Sequence, residues 1–123
     1  MVAKKPTSKT ADAVILDVLV YELAIDDRGE SERKIRRRLR HYGLGPYQQE
    51  RVELLRRLKT ETQSEVQRAG QSRYFAGSHG KYAALEDFDA DRLIGDLAAS
   101  YPDVPREEIK AFVPFAVYLY YLR

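Results

Sequence analysis

Apolar residues at 14, 15, 16, 18, 19, 20, 23 and 25 cover most of a helical circumference. They predict a first, central helix running from a cap at Ser8 or Thr10 to about Ile25. The β-branched content of this run also suits a strand, but its length favours the helix. After the loop Asp26-Asp27-Arg28-Gly29, Ser31 is placed to cap a second helix whose apolar stripe is thin: Ile35, Leu39 and Tyr42. Gly43 supplies a stop, and Pro46 suits the first turn of a third helix running to about Ala69. Leu55, Leu58, Thr62 and Val66 form its inner face, and Gly70 ends it. Residues 70–86 lack periodicity and read as a surface loop with one short helical turn. Asp87 or Asp89 then caps a fourth helix through Ser100, burying Leu93, Ile94 and Leu97. The connection 101–105 leads into a fifth helix with Ile109, Phe112, Val113, Ala116, Val117 and Tyr120 at helical spacing. Pro114 is expected to kink that helix or lengthen one of its turns.

These elements predict an all-α fold, a compact bundle of about five helices. It forms a single domain over residues 10–123 behind a flexible basic tail, residues 1–9. A chain of 123 residues is long enough to bury a core without staples. With no cysteine, disulfides, thiolate catalysis and cysteine-ligated metals are excluded. The longest nearly uninterrupted apolar stretch, residues 111–122, has 12 residues, short of the ~20 a membrane span requires. Lys4, Lys5 and Lys9 precede an apolar run in the manner of a secretory signal. Asp17 and Glu22 interrupt that run, however, and no small-residue cleavage site follows. The expected location is cytoplasmic, with no membrane partner.

Charge changes the picture more than composition does. Net charge is +2, but residues 31–59 hold ten Lys/Arg against three Glu, a balance of +7. Residues 82–109 hold eight acids against two Arg, a balance of −6. Such asymmetry speaks to partners. Arg33, Arg36, Arg37 and Arg40 follow an i, i+3, i+4, i+7 spacing opposite Ile35, Leu39 and Tyr42, placing four guanidinium groups on one helical face. Guanidinium presents a donor fork matched to phosphate oxygens, and a row of them supports salt-sensitive, sequence-independent binding. Lys34, Arg38, Arg56 and Arg57 are the expected supporting cations. Charged helical faces are often simply solvated, and i,i+4 pairing of Glu32 with Arg36 and Glu53 with Arg57 would tie up part of this charge, with Glu30 near Lys34.

The turn Gly43-Leu44-Gly45-Pro46-Tyr47-Gln48-Gln49-Glu50-Arg51-Val52 resembles the Gly-apolar-Gly turn of helix-hairpin-helix DNA-binding motifs. The resemblance implies that the turn at Gly43 and Gly45 and the following helix start hold a DNA phosphate through backbone amides. It covers about ten residues. His41 stands where the family has an apolar residue, and Gln49 where it has a small one. A glycine helix stop followed by a proline helix start explains the same letters.

Other motifs fail on spacing. Gly77-Ser78-His79-Gly80-Lys81 lacks the Walker pattern, because Phe75 and Tyr82 occupy the glycine and hydroxyl positions. Asp87, Asp89 and Asp91 match the start of a calcium loop, but Arg92 and Ala98 replace its Gly and its bidentate Glu. His41 and His79 have no ligand-spaced neighbours, so neither a metal site, a cofactor site nor a catalytic residue is expected. Near the end of the chain, Phe115, Tyr118 and Tyr121 exceed what one core face needs and are candidate interface residues, which allows a homo-oligomer. The resulting expectation is a non-enzymatic subunit of a larger complex that binds a nucleic-acid backbone, DNA or RNA. The alternative is a protein-interaction module whose basic hairpin meets an acidic protein surface.

Overall fold

The computed structural model describes residues 9–77, 80 and 84–122. Most of the tail, and Ser78, His79 and Lys81 of the glycine-bearing loop, lie outside these described residues. Among them the fold is all-α, with five α-helices: α1 Ala11–Leu19, α2 Arg28–Tyr42, α3 Gln49–Gln67, α4 Ala90–Ser100 and α5 Arg106–Val117. Among the described residues, one antiparallel bridge joins Phe75 and Phe88. The chain gathers into two compact units, Met1–Arg56 and Arg57–Arg123, divided within α3, where the sequence reads as one domain.

In the first unit, Thr10 caps α1 as expected, accepting the Ala13 N–H at 3.1 Å. Val14, Ile15, Leu16, Val18 and Leu19 are buried, as is Val20 beyond the helix end. The helix stops at Leu19, six residues short of the predicted Ile25. Asp27 accounts for this early end. Its carboxylate accepts the N–H groups of Leu23 and Ala24 at 3.2 and 3.1 Å, and such a local side-chain acceptor competes with helical hydrogen bonds. A 3₁₀ turn over Ile25–Asp27 leads directly into α2, so the helix begins at Arg28 and Ser31 is not its cap. Ser31 instead lies on the buried face with Ile35 and Leu39, and α1 and α2 pack together. Ile35 and Leu39 are 0% and 2% exposed; burying each contributes roughly 1.5–3 kcal/mol, enough to anchor a helix that is otherwise polar.

Gly43 ends α2 at φ 64°, a left-handed conformation that favours glycine. The Gly43 N–H donates to Arg40 O at 3.2 Å and the Leu44 N–H to Leu39 O at 2.9 Å. The third helix starts at Gln49, leaving Pro46 in an irregular connection. Tyr47 holds that connection, lying 4.2 Å beneath the Arg36 guanidinium and donating its hydroxyl to Gln49 Oε1 at 2.9 Å.

In the second unit, α3 continues with Leu58, Thr62 and Val66 fully buried, on the face the spacing predicts. It ends near the predicted place, but Ala69 rather than Gly70 takes the left-handed conformation, at φ 50°. Asp89 caps α4 by accepting the Arg92 N–H at 3.1 Å. Leu93, Ile94 and Leu97 face inward, and α4 packs on α5. The fifth helix passes through Pro114 and widens into a π-helical turn over Tyr118–Leu122. The lengthened turn thus follows the proline, which cannot donate to the carbonyl one turn back.

Candidate functional site

The basic face of α2 is positioned by its other side. With Ser31, Ile35 and Leu39 buried, the opposite residues Arg33, Arg36, Arg37 and Arg40 all face solvent. Their charges are not equivalent. Arg36 donates Nε to Glu32 Oε2 at 2.9 Å while stacking on Tyr47, and Lys34 pairs with Glu30 at 3.3 Å. Both i,i+4 pairs are those the spacing suggests. From Glu32 the next acid in the chain is Glu50, so Arg37, Arg38 and Arg40 have no carboxylate within a helical turn. Among the described residues, Arg33, Arg37, Arg38 and Arg40 make no ion pair and no side-chain hydrogen bond. Arg40 and His41 also occupy the last turn of α2, where the helix dipole favours cations.

The third helix treats its cations differently. Arg56 is 6% exposed and is withdrawn from any solvent face, which removes it from the expected phosphate contacts. Its Nε and Nη2 donate to the two oxygens of Glu22 at 2.6 and 2.9 Å, and its Nη1 to Glu53 Oε2 at 2.8 Å. These hydrogen bonds, led by that to Glu22, hold its guanidinium above the usual pKa. Glu53 therefore pairs with Arg56 at i+3, not with Arg57 at i+4. Arg51 is likewise clamped, donating to both oxygens of Asp12 at 2.9 and 2.6 Å. Arg57 is exposed and without an ion pair among the described residues, but it belongs to the second unit.

The turn only partly suits the phosphate cradle that the resemblance implies. The amides of Gly43 and Leu44 are committed to α2 carbonyls as a helix stop. Gly45, at φ 96°, makes no backbone hydrogen bond among the described residues. Gln49 and Glu50, rather than Pro46, open the next helix, and an acid there disfavours an anion.

One feature of this unit escapes the sequence. A cleft of about 490 Å³ opens beside the arginine face, between the start of α1 and the end of α2. Val14 and Asp17 line one side and Arg37, Arg38, His41 and Tyr42 the other, with Lys9 completing the wall. Lys9 is 3.0 Å from Asp17 Oδ2 and 6.0 Å from the Tyr42 ring centre. Tyr42, expected within the buried stripe, is 38% exposed, because it sits where the helix ends. The only hint in the sequence is the adjacency of the His41-Tyr42 pair to the arginine run.

The aromatic residues proposed for an interface separate in the same way. Phe115 and Tyr118 are exposed and stacked, with ring centres 6.4 Å apart and planes at 15°. Tyr121 instead turns into its own unit. Its hydroxyl donates to Asp87 Oδ2 at 2.6 Å, and its ring meets Phe88 edge-on at 4.8 Å. The hydrogen bond to Asp87 is the main cause that raises the Tyr121 phenol above its usual pKa. Among the described residues, no cluster of three His, Asp or Glu side chains is placed to hold a metal ion. None of the described helices is long and apolar enough to cross a membrane. In comparisons with known proteins, no family model, curated protein or solved structure matches this chain.

Proposed function

We propose that this protein binds a nucleic-acid backbone through the exposed face of α2, with Arg33, Arg37 and Arg40 as the phosphate contacts and Arg38 at their flank. One observation carries the reading: these arginines are exposed and lack a carboxylate partner among the described residues, whereas Arg36, Arg51 and Arg56 of the same unit are each held by one. Guanidinium groups left uncompensated on a rigid helix can exchange their counterions for phosphates without first breaking an internal pair. Fluorescence anisotropy against duplex DNA across a salt series tests this. Three neutralised phosphates give a slope of log affinity on log salt of roughly −2 to −3. A flat slope, or wild-type binding by the triple Arg33/Arg37/Arg40→Glu variant, overturns the reading.

A second reading, in which the basic face meets an acidic protein surface, is favoured by the exposed acids Glu86, Asp89 and Asp91 around the start of α4. Association of this kind between copies of the chain appears in light scattering as an oligomer at low salt that dissociates at high salt. A monomer at every salt concentration removes it.

A further inference from the structure

We infer that the cleft beside the arginine face takes an unstacked nucleobase, making single-stranded nucleic acid a ligand that this unit reads differently from a duplex. The inference rests on the reading of α2 as a backbone-binding face and adds to it a second, chemically distinct contact.

Arg37 belongs to both features: it lies on the arginine face and on the rim of the cleft. A strand whose phosphates follow Arg33, Arg37 and Arg40 therefore passes the mouth of the cleft. At about 490 Å³ the space lies within the range of small-molecule sites. Its lining sets two aromatic rings beside cations. The exposed His41 and Tyr42 rings meet edge-to-face with centres 4.9 Å apart and supply its π-surface. On the opposite wall the Asp17 carboxylate is paired with Lys9 at 3.0 Å. The strand's phosphates meet the cations of this wall, and the base stacks on the rings. Duplex DNA keeps its bases paired and stacked, offering this surface only phosphates. An unpaired strand offers phosphates and a π-face together, and aromatic residues interleaved with cations are how single strands are held.

The test compares labelled oligo(dT) with a blunt DNA duplex of equal length, by anisotropy at one salt concentration. Tyr42→Ala is expected to weaken oligo(dT) binding about tenfold, the loss of one base–aromatic stack, and to leave duplex binding unchanged. Tyr42→Phe keeps the ring and is expected to bind both probes as wild type does. His41→Ala, an exposed ring position of the same cleft and not one of the phosphate contacts, is expected to show the same selective loss, and so keeps the test informative if Tyr42→Ala misfolds. Equal losses on both probes, or no loss on oligo(dT) from Tyr42→Ala and His41→Ala, overturn the cleft and leave the backbone reading standing. Binding of neither probe by the wild type, or binding indifferent to Arg37→Ala and Arg40→Ala, overturns the backbone reading itself.

Discussion

Arg37 and Arg56 stand on consecutive helices of one unit, each preceded or followed by another arginine, yet they end in opposite environments. Arg37 projects from α2 into solvent with no carboxylate partner among the described residues. Arg56 lies in α3 with its side chain 8% exposed, held by Glu22 from 34 residues earlier in the chain and by Glu53. Local composition does not separate them, and the positions of the acids do. In α2 the acids come early, at Glu30 and Glu32, and satisfy Lys34 and Arg36 before the helix reaches Arg37. In α3 the partners are brought in by folding: Asp12 of α1 for Arg51, and Glu22, just beyond α1, for Arg56. Guanidinium beyond Arg36 in α2 is available to a ligand; that of Arg51 and Arg56 in α3 is consumed in holding the unit together. A count of basic residues over 31–59 therefore overstates the charge on offer.

The largest expected effect breaks the comparison from the structural side. Replacing Arg56 by Met leaves Glu22 as a buried carboxylate without its bidentate partner, a change that typically costs about 3–5 kcal/mol. Arg40→Ala is expected to fall within about 0.5 kcal/mol of wild type. Urea denaturation measures both, and similar costs for the two variants would erase the distinction. Next in size is a contrast within α2 itself. Arg37→Ala is expected to flatten the salt dependence of nucleic-acid affinity by roughly 0.7–0.9 in slope, one phosphate contact. Arg36→Ala is expected to leave the slope unaltered, because that guanidinium is already engaged by Glu32 and Tyr47. Equal effects of the two would show that internal pairing does not decide which arginines bind.

The smallest effect tests the same rule in the second unit. Glu61, four residues after Arg57, accepts instead from the Tyr101 hydroxyl at 2.7 Å. Burial first, and then this hydrogen bond, push the Tyr101 phenol from 10.0 to about 12. The raised value means the folded state favours the protonated phenol. Its stabilising contribution is thus complete below about pH 10 and is lost as pH rises through about 12. In an absorbance titration of phenolate, Tyr101→Phe is expected to remove a late-titrating tyrosine. If the variant instead loses one that titrates near 10, Glu61 is not committed to Tyr101.

Much of the fold was legible because it depends on local chemistry. Thr10 and Asp89 cap where side-chain acceptors precede apolar periodicity, Gly43 stops a helix by going left-handed, and the 3.6-residue spacing picks out Leu55, Leu58, Thr62 and Val66 as inner-face positions. The i,i+4 partners of Lys34 and Arg36 were legible for the same reason. Misreadings arise where a polar side chain has more than one partner within reach. The first helix ends early because Asp27 folds back on the chain, Glu53 turns to Arg56 instead of Arg57, and Tyr121 binds Asp87 instead of facing outward.

By itself, then, the sequence determined an all-α chain with a row of arginines opposite a thin apolar stripe on one helix, since both follow from residue spacing on a regular backbone. Only the tertiary structure decided that Arg51 and Arg56 of the next helix are consumed by internal partners and that a cleft lies beside the arginine row. Carboxylate partners dozens of residues away, and the gap between two helix ends, exist only once the chain has folded.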